Sequence, residues 1–97
     1  MNKIITVLEA RVSEEKWDVL QNAYRAVKTK QLAYKPLQSF LLHMKEDPNL
    51  WRIVTVWESM EVLQKMRGLR ETPAGILIFR EAGAEPSLSI FEVQEEI

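Results

Sequence analysis

The chain has 97 residues, a length that one domain accounts for, so residues 1–97 are read as a single domain. Its 13 basic and 14 acidic side chains nearly cancel, which leaves no field to gather phosphates and argues against a nucleic-acid partner. Cysteine is absent, which excludes disulfides, thiol nucleophiles and thiolate metal sites.

The first residues lack a basic segment followed by an apolar core, and no apolar run is long enough to cross a bilayer. By exclusion, the expectation is a cytoplasmic protein with no membrane partner. A chain of this size buries only about 60–65% of its unfolded surface and therefore gains from an oligomer interface.

Residues 3–12 alternate as a strand does. Ile4, Thr6, Leu8, Ala10 and Val12 make the cleaner apolar face, while Lys3, Ile5, Val7, Glu9 and Arg11 make a face that is apolar only at its middle. Such a strand is expected to meet something on both sides. Ser13 is placed to cap the following helix, and Glu14 and Glu15 suit its positive end. Trp17, Leu20, Tyr24 and Val27, with Ala23 beside them, recur at steps of three and four and predict an amphipathic helix that ends among Lys28 and Lys30.

Pro36 opens a second strand over Leu37 to Glu46, Asp47-Pro48-Asn49 supplies a turn, and Leu50 to Trp57 makes a third strand. These two strands predict an antiparallel hairpin. Trp51 and Trp57 have the same parity and share one face of the third strand. Ser59 is a cap for a second helix carrying Leu63, Met66 and Leu69 or Arg70 on one side, and Thr72-Pro73 is a fresh helix start.

Ala74 to Glu81 reads both ways: Ile76-Leu77-Ile78-Phe79 favours a strand by propensity, while the Thr-Pro start favours a helix. Gly83 to Pro86 breaks it, and Leu88 to Gln94 is a last strand. The order β-α-β-β-α-(α)-β predicts an α+β, ferredoxin-like sandwich with a four-stranded antiparallel sheet and two or three helices on one face.

In this order, and in the strand Arg52-Ile53-Val54-Thr55-Val56-Trp57 followed by Glu58-Ser59 and a short helix, the chain resembles the antibiotic biosynthesis monooxygenase family. Asp47-Pro48 in the hairpin and the terminal strand Leu88-Ser89-Ile90-Phe91-Glu92-Val93 add to the likeness, whose sharpest element is the W-x-S junction at Trp57–Ser59. The resemblance implies a homodimer in which two sheets pack face to face as a dimeric α/β barrel. It also resolves Ala74 to Glu81 as a helix. It further implies a pocket between sheet and helices, in which some relatives oxidise quinols or polycyclic phenols with neither metal nor flavin. That chemistry asks the protein for one hydrogen-bonding or basic group amid apolar walls.

The candidates follow from that requirement. His43 is the only histidine, which excludes a catalytic triad and a two-histidine metal motif but leaves a single base. Its plainer role is a residue near the hairpin end or in a dimer seam. Tyr24, on the apolar stripe of the first helix, is the second catalytic candidate; its plainer role is a core ring with a satisfied hydroxyl.

For substrate binding the candidates are Trp57, Trp51, Tyr34, Arg67 and Leu8. Trp57 matches a tryptophan that lines the pocket in quinone-forming relatives, and Ile53 stands where those relatives carry an asparagine. A strand tryptophan is otherwise core or interface.

Haem binding is rejected, because no histidine or tryptophan follows Glu58 and the axial ligand of the haem-degrading branch has no counterpart. No metal or cofactor is expected. Met44, Met60 and Met66 read as gap-fillers, and Glu92, Glu95 and Glu96 as a solvated cluster. The functional expectation is a cofactor-independent monooxygenase-like protein acting on a small aromatic. The alternative is a non-catalytic dimer that binds a small apolar ligand or regulates a partner.

Overall fold

A computed structural model describes residues 2–28, 36–67 and 74–97, without the side chains of Lys28, Met66 and Arg67. The elements run β1 (Ile4–Arg11), a 3₁₀ turn (Glu14–Lys16), α1 (Trp17–Lys28), β2 (Gln38–His43), β3 (Leu50–Trp57), α2 (Met60–Arg67), α3 (Ala74–Glu81) and β4 (Ser87–Glu92). The sheet is four-stranded and antiparallel, in the order β2-β3-β1-β4, with the helices on one face. This is the expected ferredoxin-like sandwich.

Register sorts the side chains into two faces. β1 pairs with β3 so that Ile4 meets Trp57, Leu8 meets Ile53 and Ala10 meets Trp51. These residues face the helices and are buried. The main core joins Leu8, Ala10, Val12, Trp51 and Ile53 of the sheet to Leu20 and Ala23 of α1 and to Ile78, Phe79 and Ala82 beyond. A smaller core sets Leu63 of α2 on Ile4 and Trp57.

The opposite face carries the other parity. Directly paired positions lay down one row of Gln38, Val56, Ile5 and Phe91, and a second of Phe40, Val54, Val7 and Ser89. A third row holds Leu42, Arg52, Glu9 and Ser87, with Arg52 Nε donating to Glu9 Oε1 at 2.6 Å. Phe40 and Phe91 remain 45% and 54% exposed, so this side of the sheet is largely apolar and is not covered by the described residues of one chain.

The segment of mixed propensity is a helix. Tertiary burial decides it: Ile78 and Phe79 reach the core together, as a helical stripe allows and a strand's alternation does not. α3 ends in a Schellman motif, with Gly83 N–H donating to Arg80 O and Ala84 N–H to Phe79 O, both at 2.9 Å. Gly83 takes φ +77°, the left-handed conformation that this ending needs. Just beyond, Arg80 bonds the Glu85 carboxylate and holds it below the usual carboxylate range. The brace is present above the unfolded-state carboxylate pKa and is lost as pH falls through the lowered one.

Local capping follows expectation in one place and departs in another. Ser59 caps α2, its Oγ accepting from Val62 N–H at 3.4 Å and its carbonyl from Leu63 N–H at 3.3 Å. Ser13 makes no side-chain cap bond; only its carbonyl is used, by Lys16 N–H at 2.8 Å, because the chain enters a 3₁₀ turn before α1. The expected start at Thr72-Pro73, the helical positions Leu69 and Arg70, and Lys30 lie outside the described residues.

Gly75 leaves room for the Leu8 side chain of the sheet, since a Cβ built there would fall 2.5 Å from Leu8 Cδ1. In an isolated helix Gly→Ala gains roughly 0.5–1 kcal/mol. Here the overpacking against Leu8, typically ~1–3 kcal/mol, reverses the sign. Gly75→Ala is expected to lower the melting temperature, and Leu8→Ala in the same chain to cancel that cost. A raised melting temperature in the single variant would contradict the close packing.

Candidate functional site

The site is built where α1 crosses the hairpin end of the sheet. On β2 the odd residues Ser39, Leu41 and His43 pair with Thr55, Ile53 and Trp51, so they face the helices and not the open side. His43 therefore sits near the hairpin end, as one expectation had it, but away from any seam formed by the open face. Its ring lies 4.7 Å from Trp51 and 5.9 Å from Trp17, centroid to centroid, and the two indoles stand 5.9 Å apart. The three rings form a tilted, edge-to-face cluster of the kind aromatic quadrupoles favour.

Trp17 is tied down by its own Nε1–H, which donates to Val12 O at 3.0 Å. Trp51 is not. It is 4% exposed, and its Nε1 is buried with no acceptor among the described residues. A buried donor left unmatched costs ~1–3 kcal/mol, so its presence needs a reason.

Between α1 and the sheet these groups border a recess of about 320 Å³, lined by Gln21, Tyr24, Arg25, Leu41, His43 and Trp51. That volume is at the low end for a small-molecule site, about 300–1,000 Å³. Tyr24 comes from the α1 stripe, and its hydroxyl bonds Ser39 Oγ at 2.9 Å. Arg25 stands one position further round the helix and, among the described residues, reaches only neutral oxygens, Asn22 Oδ1 at 3.2 Å and Gln21 Oε1 at 3.4 Å. A smaller hollow of about 150 Å³ lies at the hairpin end beside Leu42, His43, Met44, Leu50 and Arg52.

Of the site residues expected from sequence, the structure brings Tyr24, His43 and Trp51 together in this recess. Trp57 and Leu8 lie elsewhere on the same sheet face. Leu8 packs in the main core and Trp57 in the smaller one, where its Nε1–H donates to Thr6 Oγ1 at 3.0 Å. Ile53, at the position where relatives carry an asparagine, is 4% exposed and part of the main core. Tyr34 and the side chain of Arg67 lie outside the described residues.

Sequence reasoning missed Gln21, Arg25 and Leu41. Gln21 sits three before Tyr24 and four before Arg25, so it neighbours both on the helix, but nothing in that spacing sets the pair apart until α1 is laid over β2. Among the described residues no group of three His, Cys, Asp or Glu side chains is placed to hold a metal ion. No described helix is long and apolar enough to cross a membrane.

No protein-family model matches the chain, and a search of curated proteins finds no match. Solved structures do match, over nearly the whole length, and they define the class at the level of fold. A conserved protein of Methanosarcina mazei is 17% identical with a TM-score of 0.71, covering 94% of this chain and 92% of that one. A Caulobacter crescentus protein provisionally described as an antibiotic biosynthesis monooxygenase is 18% identical with a TM-score of 0.70, covering 97% and 92%. SnoaB, a cofactor-independent oxygenase from Streptomyces nogalater, is 11% identical with a TM-score of 0.65, covering 100% and 98%. The chain thus has the fold seen in these proteins.

The Trp57–Thr6 bond predicts a separable structural role for the W-x-S tryptophan. Trp57→Phe and Thr6→Val are each expected to destabilise, with a coupling of about 1 kcal/mol in a double-mutant cycle read by denaturant unfolding. Additive losses would show the bond to be without weight.

Proposed function

We propose that the chain is a small oxygenase-like protein that takes an electron-rich aromatic, a quinol or polycyclic phenol, into the recess between α1 and the β2–β3 hairpin. The observation that carries this reading is the single imidazole of His43 set against Trp17 and Trp51 at the edge of that recess. The fold shared with a cofactor-independent oxygenase supports it.

Chemically, the protein has to bind the ring, take one proton and keep the resulting anion with dioxygen away from bulk water. His43 is the base, and Trp51 and Leu41 are the apolar walls. Tyr24, held by Ser39, steadies the substrate oxygen. For an anthrone, the methylene loses a proton to His43 and the carbanion passes an electron to dioxygen. The radical pair joins as a carbon–oxygen bond, and the hydroperoxide, protonated by His43, loses water. The methylene becomes a carbonyl, four electrons leave carbon, and dioxygen ends as one carbonyl oxygen and one water.

Oxygen uptake over a panel of hydroquinones and anthrones tests the reading. Turnover is expected with at least one member, falling by about 10²-fold or more in His43→Ala, the usual scale for removal of a general base, and less in Tyr24→Phe. Absence of uptake across the panel removes the oxygenase. A hydrophobic ligand found by native mass spectrometry of protein from cells, without turnover, favours the binding-domain alternative.

We also propose that the active form is a homodimer whose subunits cover each other's open sheet face. Ile5, Val7, Phe40, Val54, Val56 and Phe91 make that face apolar, and nothing among the described residues of one chain packs over it. Light scattering at micromolar concentration should give twice the mass of one chain. Val54→Lys, which sets a charge in the middle of the face, should give a monomer. A wild-type monomer under those conditions counts against the assembly.

A further inference from the structure

The chemistry of the recess goes beyond its being aromatic. Its polar lining is rich in donors and lacks a carboxylate: Gln21, Tyr24, Arg25, His43 and Trp51 surround it, and no Asp or Glu is among them. Two of those groups lack a proper partner. Among the described residues the guanidinium of Arg25 has only the amide oxygens of Asn22 and Gln21, at 3.2 and 3.4 Å, while Arg11, Arg52 and Arg80 each hold a carboxylate. The Nε1–H of Trp51, on a side chain more than nine-tenths buried, has no acceptor among the described residues.

The geometry points to an anionic oxygen on the ring of the ligand, a carboxylate or a phenolate. Arg25 at the rim takes the charge, the buried Trp51 N–H donates to an oxygen of the bound molecule, and the ring lies against the His43–Trp51 wall. The specificity-determining residues are thus Arg25 and Trp51, and neither lies at the W-x-S junction. A neutral aromatic of the same shape would leave the Arg25 charge unmatched, which is how such a site discriminates. The inference deepens the functional reading above and rests on its placing of the site, but it concerns binding, not turnover.

The test is a titration under argon with 2-naphthoate, methyl 2-naphthoate and 2-methoxynaphthalene, followed by the indole N–H resonances of the ¹⁵N-labelled protein. The chain has three tryptophans, and the Trp51 signal is assigned by its loss in Trp51→Phe. The expected result is that 2-naphthoate moves the Trp51 signal and binds at least about tenfold more tightly than the ester or the ether. Arg25→Gln, a change at an exposed position, is expected to abolish that discrimination by bringing the affinity for 2-naphthoate down to that for the ester.

Equal affinity for acid and ester overturns the inference. So does binding that leaves the Trp51 signal in place, retained discrimination in Arg25→Gln, or no binding by any of the three. Oxygen uptake, measured separately, distinguishes the two claims. Selective binding without turnover removes the oxygenase and keeps the anion site, whereas turnover of neutral quinols without charge selectivity does the reverse.

Discussion

The register between β1 and β3 governs the molecule. Side chains alternate across a strand, so a slip of one residue would turn one strand over against the other, sending either Ile4 and Leu8 of β1 or Trp51 and Trp57 of β3 to the open side. The native pairing is favoured because it buries both tryptophans and gives Trp57 a hydroxyl partner on the neighbouring strand. The Arg52–Glu9 bridge lies on the other face, exposed, and adds little by comparison. With β1 and β3 in register, β2 and β4 can only continue the two faces, one toward the helices and one uncovered.

This constraint divides the two tryptophans of β3 by role. Trp57 is held by Ile4, Leu63 and the Thr6 hydroxyl, and its polar edge is satisfied. Trp51 shares its face but lies at the hairpin end, where Trp17 at the start of α1 meets His43 and Trp51. There the packing is aromatic and looser, a recess remains, and an indole N–H is left without an acceptor among the described residues. A domain of this size has little stability to spare, so an unmatched buried donor at the edge of a recess is where a ligand's contribution would tell most.

Much of the fold was legible in the chain. The alternation of β1, the stripe Trp17–Leu20–Tyr24–Val27 and the turn at Asp47-Pro48 each act locally, so their periods appear in the sequence. The boundaries were less legible: Leu37 and Lys45 look strand-like, yet β2 runs only Gln38–His43. The Ile76–Phe79 segment could not be assigned from its own residues, because β-branched propensity and helical capping oppose each other there and only the contacts of Ile78 and Phe79 decide. Of the site, His43, Tyr24 and Trp51 were legible by residue type alone. Arg25, Gln21 and Leu41 were not, since helical and strand residues that are ordinary by pattern gain meaning only when α1 is laid over β2.

By itself the sequence determined the alternation of the strands, the amphipathic first helix, the element order and the absence of any thiol chemistry, because each depends on neighbours a few residues away. Only the tertiary structure decided which tryptophan has a polar partner, that His43 turns toward the helices, and that Arg25 lines the same recess as Trp51, whose indole N–H has no acceptor among the described residues. Those facts depend on how α1 crosses the β2–β3 hairpin, a contact between segments roughly fifteen to thirty-five residues apart that no local period encodes.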